Sequence, residues 1–493
     1  RPLGDAAPVR TEVRRRRVTP SRLNAHARLL KRPASGKAAP LTTHPGPPLA
    51  GRVRPPGDKS VTHRAFLLGL IAEGETRVEN ANPGADCAAT LTCAEALGAG
   101  VTRDGGAVVI RGTAGRLAEP AGVLDCGNSG TTLRLLAGAL AGRPLLAVLS
   151  GDASLNRRPI ARIVEPLRRM GAELYARDGD RLPPLVVRGR GLTPIRYALP
   201  MASAQVASCV LLAGLTAAGE TTVELPGPAR DHTERMLPAF GIEVTVEPRA
   251  GSGPRLAVRG PATPRGARLA VPGDFSAAAF FLAAAAATPG ATVTAEGVSL
   301  NPTRTGLLDV LERMGARIER ASQRVEAGEP VGDVTVTGPD RLEAFDVPAA
   351  WVPRLLDEVP AWVIAATAAR GTSRLVGAAE LRVKESDRLG ALAANLAALG
   401  VRVEESPDGL AVTGGPVGGG TVAARHDHRV AMAFAVLGTR AGAPVTVDDA
   451  SSIPTSYPGF VATLAALGGR VEEGPAPRPA SGGTQGGAPA GAP

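Results

Sequence analysis

Apolar positions along the chain follow a pattern that returns about every seventy residues. A bulky apolar residue, a glycine, two further residues and an aliphatic one recur six times: LGAGV from Leu97, MGAEL from Met170, FGIEV from Phe240, MGARI from Met314, LGVRV from Leu399 and LGGRV from Leu467. Each occurrence predicts a helix closed by a C-cap glycine and turning into a strand. Upstream partners recur too, as GETRV from Gly74, GETTV from Gly219, GATVT from Gly290 and GTSRL from Gly371. In each, an apolar helix-like run passes through a glycine into a short β-branched stretch. One unit is thus helix, strand, helix, strand and further strands. Intervals of 73, 70, 74, 85 and 68 residues are too long for the usual solenoid repeats.

The two halves of the chain also echo each other. PGDKSVTHRAFLLG from Pro56 has a near-twin in PGDFSAAAFFLAAA from Pro272, 216 residues or three units later. The prediction is an α/β protein of two pseudo-threefold domains with three units each. The first spans 57–270; the second spans 271–472 and is completed by a strand within 47–56. The twins differ where it matters chemically: Lys59 and Arg64 in the first copy become Phe275 and Phe280 in the second. The scaffold needs the helix start twice, whereas the chemistry needs its charge once.

The 493 residues suffice for two or three domains, with ordinary hydrophobic and charged content. The net charge of +10 suggests nucleic acid until it is located. Residues 1–46 hold eleven Lys or Arg against Asp5 and Glu12, which leaves the remainder almost neutral. Aromatic residues are only 3%, so stacking platforms are scarce and a nucleic-acid partner is not expected. Segment 1–46, with RRRR at 14–17 and scattered prolines, is expected to be a disordered basic extension. Its arginines resemble a transit peptide's, but its prolines and few serines favour a plain extension. The Gly/Pro/Ala stretch 473–493 is expected to be a disordered tail. Cys87, Cys93, Cys126 and Cys209 form no CxxC pair and suit a reducing compartment. The longest apolar run, Phe275 to Ala287, is too short to span a bilayer, so no membrane partner is expected.

Charge clusters at the predicted helix starts carry the candidate chemistry. A helix N-terminus presents unpaired N–H groups and the positive end of its dipole, a seat for anions. Lys59 and Ser60 open one helix, with Arg64 one turn on. CGNSGTTLRLL from Cys126 is a glycine-rich turn entering a helix, where backbone amides can approach a ligand. Arg157 and Arg158 precede a proline at another start, Ser203 to Gln205 open the next, and Arg230 lies in ARDHTERML. Lys384, Glu385, Asp387 and Arg388 stand together before a helix, and Arg429 follows Asp427, a candidate N-cap. His426 and His428 bring a metal to mind, but local spacing supplies no third ligand. Any one cluster reads as a surface ion-pair network. Together they predict one strongly anionic ligand pocket between the halves.

The ordered set PGDKSVTHR, GNSGTTLR, RRPI, RDHTE, LRVKESDRL, DHRVAMA and SYPGF resembles the 5-enolpyruvylshikimate-3-phosphate synthase family over about residues 47–471. The resemblance implies two domains of three βαβαββ units, an inside-out barrel whose helix N-termini face the cleft. It implies transfer of the enolpyruvyl group of phosphoenolpyruvate to the 5-hydroxyl of shikimate 3-phosphate, through a tetrahedral intermediate and with loss of phosphate. No metal or organic cofactor is implied. A cytoplasmic monomer and inhibition by glyphosate are. By motif match, Lys59, Ser60, Arg64, Ser203, Ala204, Gln205, Arg230, Asp357 and Lys384 would hold shikimate 3-phosphate. Lys59, Gly130, Arg158, Gln205, Arg388 and Arg429 would contact phosphoenolpyruvate. Asp357, Glu385 and Lys59 would be catalytic.

Ala229 stands where some members of the family have Ser, and Thr455 where some have a Lys near SYP. Those two contacts are therefore open. A second candidate is the UDP-N-acetylglucosamine enolpyruvyl transferase, but its loop cysteine has no counterpart in GDASLNRRP. A third is a non-catalytic anion- or nucleic-acid-binding protein, which the presence of both Asp357 and Glu385 disfavours.

Overall fold

All six repeat glycines adopt the left-handed conformation, with φ of 100° at Gly98, 97° at Gly171, 75° at Gly241, 106° at Gly315, 77° at Gly400 and 98° at Gly468. An L-residue there would lose roughly 1–2 kcal/mol. The computed structural model describes residues 39–474, and each glycine in it ends a helix. In every case the amide of the next residue returns to the carbonyl five positions back, as in Ala99 to Ala94 and Val401 to Leu396, both 3.0 Å. This wrap-around cap satisfies a terminal carbonyl and aims the chain into a strand. The strands that follow the six caps begin with Gly100–Asp104 and end with Arg470–Glu473.

The strands assemble into small mixed sheets, each belonging to one repeat. Five are four-stranded with the same order: an edge strand parallel to its neighbour, then two antiparallel pairings. The remaining repeat divides into a three-stranded and a two-stranded sheet. Three sheets borrow a strand from a distant part of the chain. Arg268–Ala270 pairs parallel with Glu75–Glu79. Ala50–Val53 pairs parallel with Thr292–Ser299, as expected of segment 47–56. Leu41–His44 inserts between Val445–Val447 and Arg470–Glu473.

That last strand corrects the expected boundaries. Residues 41–44 are not part of a disordered extension, and Glu473 closes a strand rather than opening a tail. The sequence LTTH alternates, with Leu41 and Thr43 fully buried. Four residues beside a basic run were too short a signal to read as a strand. The expectations for 1–38 and 475–493 lie outside the described residues.

Buried apolar side chains form two clusters, one drawn from Val61 to Val271 and the other from Leu41, Leu49 and Val53 together with residues from Phe275 to Leu467. Each surrounds three helices that are buried on nearly every face. These are Lys59–Ile71, Gly130–Ala141 and Ala204–Gly214 in the first, and Phe275–Ala286, Val359–Ala366 and His428–Leu437 in the second. A helix buried on nearly every face needs apolar or small residues all round, as in FSAAAFFLAAAA of Phe275–Ala286 and VPAWVIAA of Val359–Ala366. Small residues let them touch: a Cβ on Gly138 would lie 2.2 Å from the Cys209 carbonyl oxygen.

The twin PGD segments are where the chain crosses between the clusters. Gly57 and Gly273 form an antiparallel bridge. The Asp58 amide donates to the Pro272 carbonyl at 2.7 Å, and the Asp274 amide to Pro56 at 2.8 Å. Gly57 has no room for a side chain, since a Cβ would fall 1.8 Å from the Asn80 carbonyl oxygen.

Removal of 1–38 and 475–493 is expected to leave the melting midpoint within about two degrees. Removal through residue 46 takes out a central strand and the burial of Leu41, worth about 1.5–3 kcal/mol by itself. It is expected to lower the midpoint by several degrees or prevent folding; an unchanged midpoint in differential scanning calorimetry would mean the strand contributes nothing.

Candidate active site

The N-termini of the buried helices converge on two adjoining cavities, of about 200 and 110 Å3. Local sequence explains how each side chain arrives there. Asp58 caps the helix Lys59–Ile71 through the Val61 amide (2.9 Å), leaving Lys59 and Ser60 on its exposed first turn. Ser129 caps Gly130–Ala141 through Thr132. Asp387 caps Arg388–Ala398 through Gly390, and Asp427 caps His428–Leu437 through Arg429. Caps of this kind contribute about 1 kcal/mol each, and here they also fix which residues face the cleft.

The fourteen site residues expected from sequence all line these cavities. Ser60, Arg64, Ser203, Ala204, Gln205, Arg230, Asp357 and Lys384 line the larger. Lys59, Gly130, Arg158, Glu385, Arg388 and Arg429 line the smaller, which shares Ser60, Gln205, Arg230, Asp357 and Lys384 with its neighbour. Two residues of the expected clusters turn away. Arg157 is exposed, and Asp387 is occupied by its cap and by Arg382 at 2.9 Å. Ala229 lines the larger cavity. The Thr455 hydroxyl instead donates to the Ser452 carbonyl at 2.7 Å.

The smaller cavity is strongly positive, with nine basic side chains against five acidic ones. Arg388, itself almost fully buried, is the junction: it reaches Asp427 at 2.8 Å, Asp357 at 3.4 Å and Glu385 through a short bond. Arg230 holds Asp357 at 2.7 Å, and Arg429 stands 3.7 Å from the same carboxylate. Arg158 lies 3.7 Å from Glu385. Burial opposes ionisation of Asp357, but Arg230, with Arg429, Lys384 and Arg388, outweighs it and holds the carboxyl well below the usual range. For Glu385, burial is likewise outweighed, first by Arg388 and then by Arg158. Burial would lower the Lys59 ammonium, but Asp86, 3.1 Å away, overrides it and holds the group above its ordinary value. The site therefore carries two carboxylates and a fixed ammonium within one ring of guanidinium groups. Such a ring can clamp phosphate and carboxylate groups bidentately.

Several lining residues were not singled out from sequence. Arg134 lies one turn beyond Gly130 in the quoted GNSGTTLR, so its spacing was a readable signal. It donates to the Gln205 side-chain oxygen at 2.7 Å, and burial, with Arg162 and Arg158, pulls it down to about 9. Asp86, Arg162 and Glu380, the last paired with Lys384 at 2.7 Å, gave no local cue. His426 points outward to Asp449 at 3.2 Å while His428 is buried. Among the described residues no group of three or more His, Cys, Asp or Glu is placed to hold a metal.

Comparison with known proteins matches this arrangement to one family. The profile of EPSP synthase (3-phosphoshikimate 1-carboxyvinyltransferase) covers residues 43–464. A 3-phosphoshikimate 1-carboxyvinyltransferase of Methylorubrum extorquens is 52% identical over 446 residues, 89% of this chain and 98% of the relative. One from Synechocystis is 46% identical over 441 residues, 88% of this chain and 97% of the relative. The solved EPSP synthase of Acinetobacter baumannii superposes with a TM-score of 0.79 at 41% identity, covering 89% of this chain and all of that one. At 21% identity, the enolpyruvyl transferase NikO from Streptomyces tendae shares the fold, with a TM-score of 0.71 over 90% of this chain and all of its own. With the profile spanning nearly all of the described residues, the chain belongs to the EPSP synthase family and is a 3-phosphoshikimate 1-carboxyvinyltransferase of the shikimate route to aromatic amino acids.

Proposed function

We propose that the larger cavity binds shikimate 3-phosphate and the smaller one phosphoenolpyruvate, with Asp357 and Glu385 carrying the proton transfers and Lys59 assisting as a fixed charge. The sorting of the residues supports this reading. Those expected for the acceptor line the larger cavity, apart from Lys59, and those expected for the donor all line the smaller. Asp357 stands in the wall common to both, where an acceptor hydroxyl would meet the donor. On the same grounds we read the two apolar clusters as two pseudo-threefold domains, 57–270 and 271–472 with the N-terminal strands, whose interface is the cleft. The four cysteines are free and buried, which supports work in a reducing compartment such as the cytoplasm.

In the mechanism this implies, Asp357 accepts the proton of the 5-hydroxyl as its oxygen attacks C2 of phosphoenolpyruvate. A proton is delivered to the methylene carbon, giving a tetrahedral intermediate. Loss of phosphate and removal of a methyl proton then restore the enol ether. Glu385 starts ionised because Arg388 and Arg158 hold it so. An incoming donor competes for those guanidinium groups with its own phosphate and carboxylate. That competition raises the proton affinity of Glu385 where the methylene needs an acid, and the same carboxyl later takes the proton back. Lys59 stays charged throughout and bridges the two anions. Arg230, held by Asp357 at 2.7 Å, would have to be shared with the acceptor phosphate that Ala229 cannot contact through a hydroxyl.

Glu385→Gln is nearly isosteric but cannot cycle a proton. It is expected to keep KM within a few-fold and lower kcat by about 10²–10⁴; phosphate release at the wild-type rate would remove the assignment. Lys59→Met deletes charge from the smaller cavity and is expected to damage KM and kcat together.

The same placement bears on glyphosate, which resembles a lengthened donor. A Cβ on Gly130 would lie 2.6 Å from an Arg134 guanidinium nitrogen and 3.7 Å from one of Arg158. Gly130→Ala must therefore displace the Arg134 guanidinium and add a methyl to the wall of the donor cavity, crowding a longer ligand more than a shorter one. Wild type is expected to be inhibited competitively with phosphoenolpyruvate, and Gly130→Ala to raise the inhibition constant much more than KM. Equal changes in both would show that Gly130 does not border the region where the two ligands differ.

A further inference from the structure

Beneath the site lies a carboxyl that the mechanism does not use. Glu358 follows Asp357 directly and is 1% exposed. One of its oxygens accepts a short hydrogen bond from the Ser276 hydroxyl, and the other has no partner among the described residues. Ser276 belongs to the second PGD copy and in turn accepts from Arg304 at 2.7 Å. Arg304 binds Asp58 at 2.6 Å and Asp274 at 3.2 Å, and Asp274 accepts the Lys59 amide at 3.1 Å. A continuous buried path thus runs from the backbone of Lys59, through the crossing point of the chain, to the residue beside Asp357.

We propose that Glu358 is a positioning residue for the reaction: its hydrogen bond to Ser276 ties the Asp357 segment to the crossing PGD segments and sets the separation between Asp357 and Lys59. The inference rests on the reading of Asp357 as the base. A neutral carboxyl suits the task, and burial pushes Glu358 up despite Arg230 and Arg304. With Asp58 and Asp274 already facing Arg304, a third negative charge would be surplus there. Glu358 accepts from Ser276 and stands 4.0 Å from Arg230, which stays on Asp357 at 2.7 Å. The tie also explains why the greasy twin keeps its serine: Ser276 is buried inside an otherwise apolar helix, where a hydroxyl without a fixed partner is costly. Misplacing a base by about 1 Å costs of order 10²-fold in rate, whereas Ser203, Ala204 and Gln205, which hold the acceptor, lie on a helix of the other core.

The test compares Asp357→Asn, Glu358→Ala, Ser276→Ala and Glu358→Gln in the full chain, with kcat taken per folded molecule and KM for both substrates. Asp357→Asn is expected to lose most turnover. Glu358→Ala and Ser276→Ala are expected to lower kcat about tenfold to a hundredfold with KM for shikimate 3-phosphate within twofold. Glu358→Gln, whose amide oxygen still accepts from Ser276, is expected to keep at least about a third of kcat. Wild-type kcat in both alanine variants, or Glu358→Gln as damaged as Glu358→Ala, overturns the tie while leaving the base in place. Full turnover in Asp357→Asn overturns the base, and the tie with it. Ser276→Ala removes one oxygen only and decides the matter if Glu358→Ala does not fold.

Discussion

Arg304 is the pin on which the molecule turns. It is a fully buried guanidinium binding both twin aspartates, the Ser276 hydroxyl and, at 3.2 Å, a ring nitrogen of His232. A buried charge of this kind is tolerable only when its partners are complete, and loss of one partner typically costs about 3–5 kcal/mol. The two crossing segments are therefore obliged to lie side by side, each capping its own helix with the aspartate that Arg304 holds. A second tie runs alongside, where His232 meets Glu329 at 2.7 Å and Asn301 bridges Glu329 and Asp231. Duplication made the PGD start twice; the buried arginine is what requires both copies to be retained.

From that point the site follows by geometry. Six apolar helices can be buried only by turning their polar ends to a common opening, and the ends available are N-termini with unpaired amides. Those ends suit anions, and Lys and Arg side chains amplify the preference. So many cations in one cleft would repel one another, and Asp357, Glu385, Asp86 and Glu380 offset part of that charge. This is why the two carboxylates assigned to proton transfer are both held ionised before substrate arrives. In the proposed mechanism substrate anions would displace them from their arginines, coupling binding to a change in their proton affinity.

Much of this was readable in the chain. The six capping glycines, the strands after them and the capped helix starts depend on interactions within a few residues, and each appeared where its local pattern placed it. The charge clusters were legible for the same reason, since they sit on the first turns of those helices. Resemblance then supplied Asp357, which no local pattern marks as different from Glu358 beside it. Arg134 was legible in principle, one turn from Gly130. Asp86 was not, because it owes its place to Lys59, 27 residues away, and no local pattern marked Arg162 or Glu380 as lining the cavity.

The sequence by itself determined the repeat, the helix ends and the supply of charge, because hydrogen bonds between near neighbours decide them. Only the tertiary structure decided which strand completes which sheet. Leu41–His44 joins strands some four hundred residues away, and its four residues carry too little pattern to announce it. Only the tertiary structure, too, decided that adjacent carboxyls differ. Asp357 faces four cations in the cleft while Glu358 faces a serine in the dry interior, and the difference in solvation and charge around them is a property of the assembled fold.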